Sequence, residues 1–223
     1  MSDDGGMVTV AIDGPGGAGK STLAGALAAR LGLERLDSGA MYRVLALAAL
    51  RGGMDPANPD AMSGLAAGLA VRLDGASVWL DGADVSGAIR SHEVTRAASM
   101  VAVHPGVRAE LVARQRAWVA ERGGGVVEGR DIGTVVCPDA ELKIYLTAEH
   151  AERSRRRSAE VDGASADRAV AAELASRDRA DSTRTASPLE VAPGAVVMDS
   201  TDRSVDNLVA EVLGLLAETG VTW

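Results

Sequence analysis

The 223-residue chain is poor in aromatic residues: Phe is absent, and aromatics make up 2% of the chain although 47% is hydrophobic. Its core must therefore be built from Ala, Val and Leu. This hydrophobic share argues against a disordered chain. The scarcity of aromatics does not suggest a platform on which nucleic-acid bases would stack.

Cysteine, lysine and long apolar runs are also scarce. The single cysteine, Cys137, excludes an internal disulfide framework and a multi-cysteine zinc site. No stretch approaches the ~18 consecutive apolar residues of a membrane span, and no secretory signal is visible, so we expect a soluble cytoplasmic protein without a membrane partner. The net charge of −8 argues against a nucleic-acid polymer as partner. Of the 23 basic residues only Lys20 and Lys143 are lysines, and the other 21 are arginines.

Short apolar runs alternate with helical patterns along the chain. Strands are predicted at residues 8–13, 33–37, 126–128, 142–147 and 195–199. Helices are predicted from about Gly19, from about Ala40 and after Ser204, whose hydroxyl is suited to an N-cap. This alternation is typical of the α/β class, with a mostly parallel sheet covered by helices on both faces.

Residues 71–85 break the alternation. Asp74-Gly75 and Asp81-Gly82 interrupt short extended runs there and predict tight turns of an antiparallel hairpin. We interpret this piece as an insertion at about residues 63–100, within a core formed by about residues 7–62 and 101–219.

The strongest motif matches G-x-x-x-x-G-K-[ST] and predicts a phosphate-binding loop (P-loop) between a strand and a helix. Glycines let backbone N–H groups surround phosphate oxygens, and the helix N-terminus adds partial positive charge. Lys20 is expected to reach the β- and γ-phosphates, and the Ser21 hydroxyl to ligate Mg²⁺. The predicted ATP-binding residues are Gly14, Pro15, Gly16, Gly17, Ala18, Gly19, Lys20, Ser21 and Thr22.

Signatures of two other nucleotide-binding classes are absent. The chain has neither the Asn-Lys-x-Asp guanine motif of GTPases nor the Leu-Ser-Gly-Gly-Gln signature of transporter ATPases. Asp199 ends a strand that resembles a Walker B strand, but it lies one helix from the C-terminus. We favour the reading of this segment as a last core strand that leads into a polar loop.

Arginines recur where an acceptor site is expected. Arg43 and Arg130 each follow the end of a predicted strand, where ligands of α/β proteins bind. Arg177, Asp181 and Arg184 are spaced i, i+4 and i+7, which places them on one face of a helix. A P-loop kinase would need such a second site for its acceptor.

Four segments together resemble the bacterial cytidylate kinases, a branch of the nucleoside monophosphate kinases. They are DSGAMYR at residues 37–43, DVSGAIR at 84–90, EGRDIGTVVCPDA at 128–140 and RDRADSTRTASPL at 177–189. The resemblance implies a P-loop NTPase fold with a five-stranded parallel sheet, a lid and an enlarged monophosphate-binding insertion. It also implies phosphoryl transfer from Mg²⁺·ATP to CMP or dCMP by a monomeric enzyme of pyrimidine metabolism.

The resemblance implies roles for individual residues. Lys20, Arg130 and Arg184 would be catalytic, and Arg153, Arg155, Arg156 and Arg157 would belong to a lid at about residues 153–166. Contacts to CMP are implied for Ser38, Arg43, Ser99, Arg108, Arg130, Asp131, Arg177, Asp181 and Arg184. Glu128 departs from the Asp found in many relatives, which places any metal contact at that position in question.

Two alternatives stay open from the sequence. One is a P-loop kinase for another small acceptor, such as UMP, dTMP or shikimate; the insertion and the Gly129-Arg130-Asp131 segment argue against shikimate. The other is a non-catalytic ATP-binding module that uses the nucleotide only as a switch.

Overall fold

Eight strands and eight α-helices make up the part of the chain that the computed structural model describes, residues 8–75, 77–159 and 167–221. The strands are β1 Val8–Asp13, β2 Arg35–Asp37, β3 Val71–Asp74, β4 Ser77–Leu80, β5 Ala83–Asp84, β6 Gly124–Glu128, β7 Leu142–Thr147 and β8 Val196–Asp199. The helices are α1 Lys20–Leu31, α2 Ser38–Arg51, α3 Pro59–Ala67, α4 His92–Val101, α5 Pro105–Arg122, α6 His150–Ala159, α7 Asp167–Thr183 and α8 Val205–Glu218. A 3₁₀ turn at Ala88–Arg90 and a π-helical turn at Ile132–Val136 complete the elements.

Five parallel strands form the central sheet in the order β2-β6-β1-β7-β8. Every residue of β1 is buried, as expected for a strand with neighbours on both sides and helices on both faces. The strands run in the same direction, so Asp13, Asp37 and Glu128 meet at one edge of the sheet. Ligands of open α/β sheets bind beyond this edge.

The two faces of the sheet bury two hydrophobic layers. Leu23 and Leu27 of α1 pack on one face with Val212 of α8, and Val44 of α2 packs on the other with Leu111 of α5. The core is built from aliphatic residues, as the absence of Phe predicted.

The start of β6 needs glycine at two successive positions. Gly124 and Gly125 have φ angles of 124° and 147°, and a Cβ atom at Gly125 would lie 2.8 Å from the Trp118 ring. At Gly124 a Cβ atom would lie 2.3 Å from the carbonyl oxygen of Val8. Strand β6 can therefore pair closely with β1 and pass beneath α5 only with these glycines.

Strands β3, β4 and β5 form a separate antiparallel sheet. Its turns contain Gly75 at φ 58° and Asp81-Gly82 at 49° and 79°, so the predicted hairpin is confirmed. Val78 and Leu80 belong to the same hydrophobic cluster as α2. Helices α3 and α4 flank this sheet along the chain and run across residues 63 and 100, so the bounds of the insertion stay a prediction.

Most predicted elements are present, although several of their bounds differ from the prediction. Strand β2 is limited to Arg35–Asp37. Helix α2 follows it directly at Ser38, because the Asp37 carboxylate caps the helix by accepting a hydrogen bond from the Ala40 N–H at 3.0 Å. Arg184 lies one residue beyond α7, although its N–H still donates to the Ala180 carbonyl at 3.2 Å. Ser204 caps α8 as predicted. In the described ranges no helix is both long and apolar enough to cross a bilayer.

Candidate active site

A cavity of about 360 Å³ opens at the carboxyl edge of the parallel sheet. The P-loop, the start of α2, helix α4, the turn after β6 and helix α7 surround it. Its lining includes these predicted site residues: Gly16, Gly17, Gly19, Lys20, Ser21, Thr22, Ser38, Arg43, Ser99, Arg108, Arg130, Asp131, Arg157, Arg177, Asp181 and Arg184. The fold thus brings segments from most of the chain to one cavity.

The P-loop connects β1 to α1 through glycines in left-handed conformations. Gly14, Gly17 and Gly19 have φ angles of 146°, 74° and 88°, and a Cβ atom at Gly14 would lie 2.0 Å from the Leu146 carbonyl oxygen. Helix α1 begins at Lys20 after Gly19, which has no side chain to cap the first N–H groups. The backbone N–H groups and the helix dipole thus form an anion-binding site.

Lys20 lies buried within the loop. Its Nζ donates to the Pro15 carbonyl at 2.8 Å, which folds the side chain back over the P-loop. Burial, and next the nearby charge of Arg130, lower the pKa of Lys20 to about 7. A triphosphate would reverse this shift, because its negative charge stabilises the ammonium form.

Ser21 and Glu128 form the contact best suited to a divalent cation. The Ser21 hydroxyl donates to Glu128 Oε2 at 2.7 Å, and the buried Glu128 Oε1 has no hydrogen-bond partner, with Arg35 at 3.7 Å. Burial, and next the charge of Asp37, raise the pKa of Glu128 to about 7. Both side chains offer the oxygen ligands that Mg²⁺ prefers. The described residues hold no cluster of three His, Cys, Asp or Glu side chains that could bind a metal ion.

The start of α2 contributes a serine and an arginine. Ser38 Oγ donates to the Glu128 carbonyl at 2.7 Å, which ties α2 to β6. Arg43 Nη2 donates to Asp37 Oδ2 at 2.6 Å. Although burial alone would raise the pKa of Asp37, Arg43 and the Ala40 N–H hold it below its usual value. The predicted residues Ser38 and Arg43 are therefore held in place on the cavity wall.

Two buried carboxylates each lie between two arginines. Asp131 pairs with Arg108 and lies 3.6 Å from Arg184. Asp181 accepts from Arg130 Nε at 2.8 Å and lies 3.7 Å from Arg184. Arg108, for which the resemblance implied a CMP contact, is buried with a side chain that is 5% exposed. One connected network of ion pairs thus joins Arg108, Asp131, Arg184, Asp181 and Arg130.

Several guanidinium nitrogens in the cavity lack a hydrogen-bond partner. These buried atoms are Arg43 Nε, Arg177 Nε and Arg184 Nη2. Burial, and next the charge of Arg130, lower the pKa of Arg177 to about 10. Buried donors without partners are costly. Together they form a site that an anionic group such as phosphate would satisfy.

The four predicted lid arginines have different surroundings. Arg157 lines the cavity, and Arg155 is exposed and pairs with Glu152 at 2.7 Å. Arg156 donates to the Ser200 hydroxyl and carbonyl at 2.9 and 2.8 Å, and Arg153 donates to the Gly16 carbonyl at 3.1 Å. Residues 160–166 of the predicted lid lie outside the described residues.

Some residues around the cavity were not predicted. They are Asp37, Gly39, Tyr42, Arg90, Thr95, Ala98, Ala102, Glu128, Gly129 and Leu174. Tyr42 lies in the DSGAMYR segment and Arg90 ends the DVSGAIR segment. Their place in these segments could have indicated that they belong to the site. Thr95 lies one helical turn before Ser99, whose hydroxyl donates to the Thr95 carbonyl at 3.5 Å. Their spacing on α4 could have indicated that both reach one surface.

Gly14, Pro15, Ala18 and Asp199 do not line the cavity. Gly14, Pro15 and Ala18 belong to the P-loop backbone but do not face the cavity. Asp199 is exposed on the edge strand β8 and accepts from the Thr201 N–H at 2.8 Å. This arrangement favours the interpretation of Asp199 as the end of a core strand.

The fold and the site define a P-loop protein whose phosphate-binding loop faces an arginine-rich second anion site. The cytidylate kinase family model matches residues 10–218. The chain is 47% identical to the cytidylate kinase of Rhodococcus opacus over 94% of both chains. It is 46% identical to that of Mycobacterium leprae, over 97% of this chain and 99% of the relative. The chain belongs to the cytidylate kinase family.

A solved structure shares the fold at low sequence identity. The gluconokinase from Sinorhizobium meliloti superposes with a TM-score of 0.51 at 12% identity, over 95% of this chain and 93% of that one. This likeness concerns the fold alone.

Proposed function

We propose that this protein transfers the γ-phosphoryl group of ATP to CMP or dCMP, giving ADP and CDP or dCDP. Membership of the cytidylate kinase family supports this activity. The observation that carries the proposal is the single cavity in which the P-loop faces the arginines with unpartnered donors. Phosphate groups bound at the P-loop and at these arginines would lie next to each other in the cavity, as phosphoryl transfer between two nucleotides requires.

The reaction needs positioning and charge neutralisation rather than a general base. The phosphate of CMP is already an anion at neutral pH. Lys20 would bind the β- and γ-phosphates of ATP, while Arg130 and Arg184 stabilise the charge on the phosphoryl group in transit. Arginine suits this role because its planar, permanently charged guanidinium binds phosphate oxygens in pairs.

The acceptor would be held by its phosphate, ribose and base in different parts of the cavity. We assign the phosphate to Ser38, Arg43, Arg130 and Arg184, and the ribose to Arg177 and Asp181. Ser99, Arg108 and Asp131 would contact the base. Asp131 would accept a hydrogen bond from the cytosine N4 amine, and its ion pair with Arg108 would hold this carboxylate in position.

Mg²⁺ would neutralise the phosphates of bound ATP and hold them in line. Ser21 would ligate the ion directly, and Glu128 would orient this hydroxyl through the 2.7 Å hydrogen bond. The lid, of which Arg157 reaches the cavity, would exclude water from the phosphates. We further propose that the enzyme acts as a monomer in the cytoplasm, with small nucleotides rather than nucleic acids as partners.

The acceptor assignment predicts a strict order of substrates. With Mg²⁺·ATP and each nucleoside monophosphate in turn, a coupled assay of ADP release should show the highest kcat/KM for CMP and dCMP. If UMP or dTMP gave the higher kcat/KM, the acceptor would be wrong. If ATP bound but no monophosphate released ADP, the protein would be a binding module and the proposed activity would be refuted.

Glu128→Gln tests the proposed ion site. Loss of the negative charge beside Ser21 should raise the Mg²⁺ concentration for half-maximal activity by about tenfold, because hard carboxylate oxygens attract the ion or its bound water. The measurement is a Mg²⁺ titration of the initial rate at saturating ATP and CMP. Glu128→Asp is the matched control, since it keeps the charge, and should change this concentration less. Equal Mg²⁺ requirements in the wild type and Glu128→Gln would contradict the assignment.

A further inference from the structure

Asp178 is the second residue of the RDRADSTRTASPL segment and does not line the cavity. It contacts the P-loop directly: the Gly16 N–H donates to Asp178 Oδ1 at 3.2 Å, and Asp178 Oδ2 pairs with Arg153. Arg153 Nη1 in turn donates to the Gly16 carbonyl at 3.1 Å. Side chains of α6 and α7 therefore hold both backbone polar groups of one P-loop residue.

The contact between these helices and the loop is close. A Cβ atom at Gly16 would lie 2.9 Å from Leu174 Cδ2, and one at Gly17 would lie 2.8 Å from the Arg153 carbonyl oxygen. The side chains of Arg153 and Asp178 are 10% and 17% exposed. Because little water reaches this pair, its charges are weakly screened and act strongly on neighbouring groups.

The Asp178 carboxylate makes the kind of contact that a phosphate oxygen makes in a P-loop. It accepts a hydrogen bond from a loop N–H, and Gly16 lines the cavity. A triphosphate beside this residue would be repelled by Asp178 and attracted by Arg153. The two anions therefore compete for the same loop and the same arginine.

We propose that Asp178 and the triphosphate of ATP exclude each other at the Gly16 N–H and at Arg153, so that ATP must displace this carboxylate. Arg153 then exchanges its carboxylate partner for the triphosphate. This inference rests on the proposed binding of ATP at the P-loop. Asp178 is thus a positioning residue that lowers the affinity of the protein for ATP. ATP binding then requires that the hydrogen bond between Asp178 of α7 and the P-loop is broken.

Asp178→Asn is the first test, with calorimetry of ATP binding as the readout. The variant removes the charge but keeps the shape of the side chain, so the dissociation constant of ATP should fall by about tenfold. Asp206→Asn is the matched control: it removes an exposed carboxylate from the first turn of α8 and should leave ATP binding unchanged. A purely structural Asp178 would give weaker binding, so unchanged or weaker binding by Asp178→Asn overturns the inference.

A rescue experiment makes the test independent of that single variant. Arg153→Gln leaves the Asp178 carboxylate unpaired beside the loop, and should weaken ATP binding by about tenfold. Adding Asp178→Asn to Arg153→Gln should restore the affinity to that of the wild type or better. A double variant as weak as Arg153→Gln overturns the inference. Failure of the wild type itself to bind ATP would instead refute the proposed function.

Discussion

Lys20→Ala is expected to lower kcat by about a thousandfold, or ~4 kcal/mol of transition-state stabilisation. The Lys20 side chain is buried within the P-loop, where no other lysine is present to supply its charge. Its Nζ donates to the Pro15 carbonyl at 2.8 Å. The substitution would therefore remove the P-loop cation that stabilises the charge developing on the transferred phosphoryl group. The measurement is the steady-state rate of ADP release at saturating CMP and ATP.

The other lysine of the chain provides the control. Lys143 Nζ donates to the Pro193 carbonyl at 3.3 Å, and Lys143 does not line the cavity. Lys143→Ala should keep kcat within about twofold of the wild type, as expected for a residue away from the chemistry. A thermal melt of each variant separates loss of activity from loss of fold. Near-normal turnover by a folded Lys20→Ala protein would show that the P-loop lysine does not act in transfer.

Asp131→Asn is expected to lower the preference for CMP over UMP by about a hundredfold or more. The carboxylate can only accept a hydrogen bond, which suits the cytosine N4 amine and opposes the uracil O4. An amide can both donate and accept, so it tolerates either base. The measurement is the ratio of kcat/KM for CMP and UMP. Asp139→Asn, at an exposed position on the same segment, should leave this ratio unchanged.

Asp131→Ala separates base recognition from the ion-pair network. It would leave Arg108 and Arg184 without their shared carboxylate, and breaking such a buried pair costs about 3–5 kcal/mol. We therefore expect a lower melting temperature together with a narrower gap between CMP and UMP. An unchanged ratio of kcat/KM in both Asp131 variants would place base recognition elsewhere in the cavity.

Local patterns were sufficient to predict the P-loop and most strands. The apolar run of residues 8–13 and the glycine spacing after it depend on neighbouring residues alone. Strand β1 has the predicted bounds, and α1 begins one residue after Gly19. The N-cap at Ser204 is equally local. The arginine pattern and the family resemblance together predicted the acceptor residues, and the structure places these predicted residues around one cavity.

The partners of these residues could not be predicted, because they come from distant parts of the chain. Ser21 and Glu128 are 107 residues apart, and Gly16 and Asp178 are 162 residues apart. The crossover connections of a parallel sheet bring such segments to one edge, and no local pattern records which side chains then meet. The same reason explains why Asp131 and Asp181 were not predicted to be shared between arginines.

The arginines at residues 153–157 show most clearly which properties follow from the sequence and which follow from the tertiary structure. The sequence by itself determined a run of arginines, the P-loop and the α/β class, because these follow from composition and spacing along the chain. Residues on a helix point outward about 100° apart, so spacing alone does not say which of them meets the loop. Only the tertiary structure decided that Arg153 contacts Gly16, Arg156 contacts Ser200 and Arg157 reaches the cavity, because the packing of α6 against the P-loop and the end of β8 determines which side each residue faces.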